Sequence, residues 1–315
     1  MTATLEQLPE AVPQGVAAQK PASLWRDTLK NILRQRSAIV GLAVITFLVL
    51  VAVFAPVVAT HDPDLPMLGI EEGAKPRSAP CIHLLGCPET QPEHYMGLDG
   101  NARDVYSRVI FGARVSLWIG FVTVGVAIII GMIIGAIAGF FSGRSDNVLM
   151  RLMDVVLAFP SLLLAIAIVT VLGTSLVNAQ LAIAIVSIPI FARVTRASVL
   201  SVREQEFVAA SVALGESRIG ILRRRIMPNA LTPIIVQGTL GIAAAIIEVA
   251  ALSFLGIGAQ PPLAEWGSMI GIERNSVFAA PHLILFPGAA IVLTCLAFNL
   301  LGDGVRDALD PRLNR

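Results

Sequence analysis

The stretch SLWIGFVTVGVAIIIGMIIGAIAGFF, residues 116–141, runs for 26 residues without one charged side chain. An α-helix rises about 1.5 Å per residue, so about 20 apolar residues cross the hydrocarbon core of a bilayer. The whole chain of 315 residues is 55% hydrophobic and only 14% charged, whereas soluble domains carry about 25% charged residues. Because a backbone in lipid must satisfy its own hydrogen bonds, the pattern predicts an all-α, polytopic membrane protein.

Other apolar stretches predict the remaining membrane helices. Four of them are long and apolar like residues 116–141. They are Ala38–Ala59, Val155–Gly173, Leu231–Gly256 and His282–Leu301. A sixth stretch, about Asn178–Arg193, is shorter and contains Pro189. We include it because the loops on either side would otherwise fall on the wrong sides of the membrane. We therefore expect six transmembrane helices.

The distribution of basic residues predicts the orientation, since Lys and Arg are retained on the cytoplasmic side. With the N-terminus inside, the cytoplasmic segments hold 17 of the 23 Lys and Arg residues. Both termini are therefore predicted to be cytoplasmic. The first span follows a polar tail and is longer than the apolar region of a signal peptide, so we interpret it as a retained anchor.

These predictions divide the chain into consecutive parts. They are a cytoplasmic tail with a short basic amphipathic helix (1–37), the first transmembrane helix (38–59), an extracytoplasmic loop (60–114), a transmembrane core with a cytoplasmic loop at 203–228 (115–302), and a cytoplasmic C-terminal tail (303–315). The extracytoplasmic loop is rich in Pro and Gly, which favours irregular structure.

Two of the three cysteines, Cys81 and Cys87, lie close together in the extracytoplasmic loop. A disulfide is chemically permitted there, but two unpaired thiols remain an alternative. His83 and His94 in the same loop make a metal site a third reading. Their spacing matches no standard zinc pattern, so we predict no metal site.

A polar segment interrupts the apolar stretches in EFVAASVALGESRIGILRRRIMPNALTP, residues 206–233. Just before it, Ser201–Glu204 has the spacing of a capping box and predicts the start of a short helix. Gly215 predicts the end of that helix, because glycine readily adopts the left-handed conformation found after helix C-termini.

A second short helix is predicted at Arg218–Ile226, with Ser217 as its N-cap and Pro228 as its end. The two helices present small and apolar side chains on one face, which needs a partner. That partner is either the protein's own spans and the lipid headgroups, or a cytoplasmic protein.

This segment resembles the cytoplasmic loop of ABC importer permeases, whose motif reads Glu-Ala-Ala, three residues, Gly, and Pro thirteen residues later. Ala209, Ala210 and Ser211 stand in the first three positions, and Gly215 and Pro228 match the spacing. The family's glutamate is replaced by Ala209 and its second alanine by Ser211.

Four further stretches resemble the C-type permease of the dipeptide/oligopeptide/nickel branch of this family of binding-protein-dependent transport systems. They are GLDGNARDVYSRVIFGARVSL, LMDVVLAFPSLLLAIAIV, ALSFLGIGAQPPLAEWGSMI and NLLGDGVRDALDPRLNR. The resemblance covers about residues 25–315.

The resemblance implies a type I ABC importer permease fold in a bacterial or archaeal cell membrane. It also implies a second homologous permease, two cytoplasmic ATPase subunits and an extracytoplasmic binding protein as partners. ATP and Mg²⁺ would be used by the ATPases, and this chain would bind no cofactor. Its ATPase-coupling loop would comprise Glu206, Ala209, Ala210, Ser211, Gly215, Arg218 and Pro228. The substrate would be a di- or oligopeptide, with nickel or another small solute as the alternative.

The residues themselves agree that this chain is not an ATPase. None of its three lysines follows a phosphate-binding glycine loop. We see no nucleophile–base pair and no paired carboxylates, so we predict no catalytic residue. Nothing in the composition indicates a nucleic-acid partner.

Glu248 is the one carboxylate in the middle of a predicted span. A charge at that depth is costly and is expected to face the bundle interior or a partner. It either lines the translocation path or a gate, or it bonds a neighbouring helix for structural reasons. A stand-alone channel or secondary transporter would require ionisable residues in several spans, and a membrane-embedded enzyme would require a cluster of them.

Overall fold

The computed structural model describes residues 35–309. Within that range the backbone forms helices and loops, and β-type pairing is limited to three isolated bridges between residues 68 and 104. The amphipathic helix predicted in the N-terminal tail falls largely outside the described residues.

Eleven α-helices follow one another along residues 35–309. They are α1 (Arg36–Val53), α2 (Ala55–Val58), α3 (Val105–Phe141), α4 (Gly143–Leu157), α5 (Ser161–Leu172), α6 (Leu176–Arg203), α7 (Glu206–Ala213), α8 (Arg218–Ile221), α9 (Met227–Phe254), α10 (Trp266–Glu273) and α11 (His282–Leu309). A π-helical turn, Leu222–Ile226, joins α8 to α9.

Five helical segments in this part of the chain are long and apolar enough to cross a membrane. They are α1, α3, α6, the run from α8 through α9, and α11. The pair α4 and α5 makes a sixth span if the two helices are counted together. The helical, membrane-spanning character expected from the sequence is thereby confirmed.

The apolar stretch Val155–Gly173, predicted as a membrane span, is broken in the structure and divides between α4 and α5. The chain bends by 89° between α4 and α5, at the break that contains Phe159 and Pro160. Pro160 disfavours helical geometry at the residue before it. The 12 residues of α5 extend over about 18 Å, which is short of a hydrocarbon core of about 30 Å.

The shortest predicted span, at about Asn178–Arg193, is in contrast part of a long helix. Helix α6 has 28 residues and carries Pro189 in its interior, where that residue is buried. Neighbouring helices surround α6, with α3 making the most extensive contact in the described structure and α9 and α5 packing on other sides. Packing of this kind allows a membrane helix to tolerate an internal proline.

Glycines allow α3 and α6 to approach closely. Gly131, Gly135 and Gly139 follow one another at four-residue intervals on one face of α3, and each faces α6. A Cβ atom on Gly135 would meet the backbone oxygen of Ala192 and the Cβ of Thr195. Small residues at such spacing allow van der Waals contact between backbones, which is what holds helices together in lipid.

The 37 residues of α3 span about 55 Å and separate two ends of the helix bundle. Residues 60–104 precede its first turn, and we call this the loop end. The 203–228 segment lies against its last turn, where Arg203 bonds the carbonyl oxygens of Gly139 and Phe140. We call this the segment end.

At the loop end, residues 60–104 are fastened to α10 and the loop before it. Arg108 is 1% exposed and donates to the carbonyl oxygens of Pro63 at 2.7 Å and Pro262 at 3.2 Å. Glu273 accepts from the Arg77 Nε at 2.9 Å and from the Gly100 amide at 2.8 Å. The loop is therefore part of the folded structure.

We expect Gly135→Ala to destabilise the protein, because the added methyl overlaps α6 and overpacking costs about 1–3 kcal/mol. Gly125 is the matched control, since it lies on the same helix with nothing within 4 Å of an added Cβ. Gly125→Ala should leave stability unchanged or raise it slightly. Thermal unfolding in detergent measures both. Equal melting temperatures for the two variants would show that the glycine face does not determine the α3–α6 contact.

Candidate functional site

The 203–228 segment begins directly at the end of α6. The capping box predicted at Ser201–Glu204 does not start a helix, so this prediction was wrong: α6 continues through Arg203, and α7 starts at Glu206 after the extended residue Gln205. Val199, one turn earlier, is fully buried in the cluster beneath the segment. This packing extends α6 and outweighs the local capping preference.

Arg203 joins the end of α6 to the end of α3. Its guanidinium donates to the carbonyl oxygens of Gly139 and Phe140 at 3.2 Å each and to the Ser142 hydroxyl at 2.7 Å. The last carbonyls of a helix lack intrahelical partners and carry partial negative charge. A cation placed there satisfies these groups and ties the segment to the membrane helix.

The turn between α7 and α8 depends on Gly215, as the sequence predicted. Gly215 has φ +77°, a left-handed conformation that side chains disfavour. Its amide bonds the carbonyl of Val212 at 3.0 Å, and the amide of Glu216 bonds the carbonyl of Ser211 at 3.1 Å. This pair of bonds is a Schellman motif, which ends α7 sharply and satisfies its last carbonyls.

The second helix starts as predicted but does not end as predicted. The Ser217 hydroxyl accepts the Gly220 amide at 3.2 Å and caps α8. Pro228 does not end the helix, because it lies in the first turn of α9, and a continuous helical run extends over residues 218–254. A π turn precedes Pro228, and the Asn229 side chain donates to the Arg225 carbonyl at 2.6 Å. A π turn is a place where a helix can absorb an irregularity such as a proline without ending.

One face of the segment is buried against the membrane helices. Val208 on α7 and Ile221 on α8 are 4% and 3% exposed. They belong to a cluster with Ile226, Ala230 and the α3 residue Ala136. The segment is therefore held rigidly against α3, α6 and α9.

The segment also carries apolar side chains that are exposed in the described part of the chain. Phe207, Val212, Leu214 and Ile219 are 42%, 60%, 86% and 71% exposed. The motif residues Ala209 and Ala210 are exposed as well, whereas Ser211 is buried. Of the two partners considered for this segment, the protein's own spans account only for the buried face.

A groove of about 440 Å³ runs between α7, α8 and the ends of α3 and α6. Ala209 lies on its wall, together with Arg203, Arg218, Glu204 and Glu216. Glu216 also accepts from the Arg225 Nε at 3.1 Å, which ties the turn to the π-helical stretch. The groove thus combines small side chains with charges of both signs.

Two ion pairs beside the segment hold α4 against α6. Arg196 binds Asp146 through two nitrogen–oxygen contacts of 2.5 and 2.6 Å, and Arg193 binds Asp154 at 2.5 Å. Sequence reasoning missed these pairs, because α4 was not predicted as a helix of its own. They hold α4, the first helix of the bent pair, in place.

Glu248 lies half-buried on α9 and faces that bend. The Ser161 hydroxyl, in the first residue of α5, donates to its Oε1 at 3.4 Å. The first amides of a helix are unpaired and favour a nearby negative charge. The geometry therefore places the one mid-span carboxylate predicted from the sequence against the break in the bent span.

At the loop end the structure joins Cys81 and Cys87 by a disulfide. Of the two histidines considered as metal ligands, His83 is exposed and contacts the Gln91 carbonyl at 2.8 Å. His94 is 2% exposed and contacts Asp104. Among the described residues, the group with ligand atoms close enough for a metal ion is His61, Glu71 and His94.

Asp104 and His94 influence each other strongly. Burial opposes the charged form of His94, but hydrogen bonds and charge from Asp104 and Glu71 outweigh it and raise its pKa. Burial likewise opposes the Asp104 carboxylate, but the hydrogen bonds from His94 and Ser107 outweigh it and lower its pKa. The two side chains form a buried hydrogen-bonded pair at the first turn of α3.

Comparison with known families agrees with this architecture. Residues 131–315 match the family described as binding-protein-dependent transport system inner membrane component. Residues 23–76 match the N-terminal transmembrane domain of oligopeptide transport permease C. Among solved structures, the fold is similar to an inward-facing MetNI methionine ABC transporter chain, with a TM-score of 0.55 and 16% identity over 65% of this chain and 98% of that one.

Curated relatives extend over nearly the whole chain. It is 45% identical to a dipeptide transport system permease protein of Alkalihalophilus pseudofirmus, over 92% of this chain and 91% of that protein. It is 41% identical to a di/tripeptide transport permease of Pseudomonas aeruginosa, over 94% and 96%. It is 39% identical to a glutathione transport permease of Pectobacterium atrosepticum, over 92% and 91%.

The membrane-spanning helices and the family match together place this chain in the class of transport permeases. The chain belongs to the family of binding-protein-dependent transport system inner membrane components, as an ABC importer permease of its dipeptide/oligopeptide branch. This confirms the family that the motif residues indicated. It also confirms the predicted location in the inner membrane.

Proposed function

We propose that this chain forms half of the translocation path of an ATP-driven importer for di- or oligopeptides and couples that path to cytoplasmic ATPase subunits. The observation that carries the proposal is the exposed apolar face of the 203–228 segment, which is held rigidly on the membrane helices by its other face. The peptide substrate is inferred from the dipeptide, di/tripeptide and glutathione permeases that this chain resembles.

The coupling role follows from how the segment is attached. A force applied to α7 reaches α3 through Arg203 and reaches α9 through the continuous helix that begins at Arg218. Gly215 and Ser217 stabilise the turn between α7 and α8. The exposed residues Glu206, Ala209 and Ala210 are part of the proposed contact surface. The small side chains of the two alanines allow close approach of an ATPase.

The proposed assembly contains a second homologous permease, two ATPase subunits and an extracytoplasmic binding protein. ATP and Mg²⁺ are assigned to the ATPases, since none of the three lysines of this chain follows a phosphate-binding loop. The binding protein would meet the loop end. At that end residues 260–263 are exposed, whereas Glu265 and Trp266 just after them are each 1% exposed and are not available for contact.

We expect the double variant Leu214→Asp and Ile219→Asp to lose its ATPase subunits while remaining folded. Desolvated apolar anchors contribute about 2 kcal/mol or more to an interface, which corresponds to an affinity loss of roughly thirtyfold. The measurement is gentle purification of the tagged chain from native membranes, with the co-purifying subunits quantified by mass spectrometry.

The matched control is Phe278→Asp, which alters an apolar side chain that is 99% exposed at the loop end. It should retain the ATPases and the second permease at wild-type ratios. If the double variant also retained its ATPase subunits, the proposed coupling surface would be refuted. A wild-type chain that purifies without any ATPase, under conditions that preserve known importers, would refute the importer itself.

The proposed function requires the segment end, with both chain termini, to face the cytoplasm. Cys81 and Cys87 are bonded and Cys295 is buried, so the wild-type background for thiol labelling is low. In intact cells, a membrane-impermeant maleimide should label Phe278→Cys and leave Leu214→Cys unlabelled. Inverted vesicles should show the reverse pattern, and labelling of Leu214→Cys in intact cells would contradict the orientation.

Glu248 is proposed to line the path or a gate, because it faces the break between α4 and α5. Glu248→Gln keeps the side-chain size and removes the charge. We expect several-fold slower uptake of a labelled dipeptide by the reconstituted importer, with assembly unchanged. Ser161→Ala, which removes only the 3.4 Å hydroxyl contact, is the control. Wild-type uptake by Glu248→Gln would assign this residue to structure alone.

A further inference from the structure

Four titratable side chains converge at the loop end, where α3 begins. They are His61, Glu71, His94 and Asp104. They come from three separate stretches of the loop and from the N-cap of α3, and the first and the last are 43 positions apart in the chain. The transport function described above makes no use of them.

The distances between these side chains suit a small cation. The Nε2 atoms of His61 and His94 lie 3.3 and 3.1 Å from the two carboxylate oxygens of Glu71. The ligand atoms of the three residues all lie within 4.8 Å of one another. In a tetrahedral zinc site with bonds of about 2.0 Å, neighbouring ligand atoms are about 3.3 Å apart.

The remaining ring nitrogens are held by a second layer of hydrogen bonds. His94 Nδ1 lies 2.9 Å from Asp104 Oδ1. His61 Nδ1 lies 2.9 Å from the Thr60 hydroxyl, which in turn donates to Asp104 Oδ2 at 3.4 Å. Metal-binding histidines characteristically donate their second N–H to such a partner, which fixes the ring and presents the other nitrogen to the metal.

The carboxylates around His94 also favour a bound cation. A neutral imidazole has one N–H and one acceptor nitrogen, and a carboxylate can only accept. Both nitrogens of His94 face carboxylate oxygens, at 2.9 and 3.1 Å. A divalent cation would displace any proton on Nε2 and bind between Nε2 and Glu71, while Nδ1 keeps its hydrogen bond to Asp104.

The backbone holds the ligands in place before any cation arrives. The His61 amide donates to the Ser107 hydroxyl at 3.0 Å, and the Glu71 amide bonds the Met67 carbonyl at 3.1 Å. His94 exchanges two backbone hydrogen bonds, of 2.9 and 3.0 Å, with Cys81 of the disulfide. The His61 and Glu71 side chains are 24% and 28% exposed, which leaves a path for a cation and room for water as a fourth ligand.

We propose that His61, Glu71 and His94 bind a divalent transition-metal cation of the Zn²⁺ type, with Asp104 and Thr60 as positioning residues. Two imidazoles and one carboxylate are a ligand set that suits Zn²⁺. The cation would fasten the loop to the first turn of α3 at the face proposed for binding-protein contact. The proposal is independent of the transport function, because it concerns binding of an ion to this chain alone.

The test uses the full-length protein in detergent, with its affinity tag removed and its metals stripped by a chelator. Zn²⁺ alone is titrated by calorimetry, and bound metal is counted after dialysis by elemental analysis. We expect one equivalent of Zn²⁺ for the wild-type protein and a rise in its melting temperature on binding. Co²⁺ in place of Zn²⁺ should give the visible absorption of a tetrahedral site.

The matched variants separate this site from adventitious binding. His61→Ala and Glu71→Gln alter the two partly exposed ligands and should abolish stoichiometric binding and the rise in melting temperature. Thr60→Val should weaken binding by about tenfold, as loss of an outer-shell partner does. His83→Ala removes an exposed histidine of the same loop and should bind Zn²⁺ as the wild type does.

Absence of saturable Zn²⁺ binding in the wild-type protein would overturn the proposal. Undiminished binding by both His61→Ala and Glu71→Gln would overturn it equally. Metal-free samples of each variant, compared with the metal-free wild type by size exclusion and thermal unfolding, ensure that a loss of binding reports the ligand and not the fold.

Discussion

The close approach of α3 to α6 is the contact on which the rest of the structure depends. Lipid tails are as apolar as leucine side chains, so membrane helices gain stability from tight packing and not from burial. Gly131, Gly135 and Gly139 bring the two backbones together. Since α3 has 37 residues, this one contact fixes the positions of the loop end and the segment end relative to each other.

Each end of α3 is capped by a charged side chain of the sign that its dipole favours. Asp104 accepts the Ser107 amide at the N-terminus, and Arg203 donates to the last carbonyls at the C-terminus. Both caps also belong to the functional features proposed here. Asp104 positions His94 in the loop, and Arg203 anchors the coupling segment, so an event at either end acts directly on the same rigid helix.

The predictions that failed did so where packing outweighed a local signal. The capping box at Ser201–Glu204 is overridden because Val199 and the residues around it continue α6 into a buried cluster. Pro228 was expected to end a helix, but the π turn before it accommodates the proline within a continuous helical run. At Pro160 the opposite occurred: the apolar composition predicted an uninterrupted span, but the chain bends there by 89°.

The sequence by itself determined the membrane-spanning helices, the turn at Gly215, the cap at Ser217 and the family motif, because each is a local pattern of composition or spacing. Only the tertiary structure decided which face of the 203–228 segment is buried, that Glu248 meets the bend at Ser161, and that His61, Glu71 and His94 converge. Those three ligands are separated by loop residues without periodicity. Their meeting depends on how the loop folds back onto α3, and no local pattern encodes it.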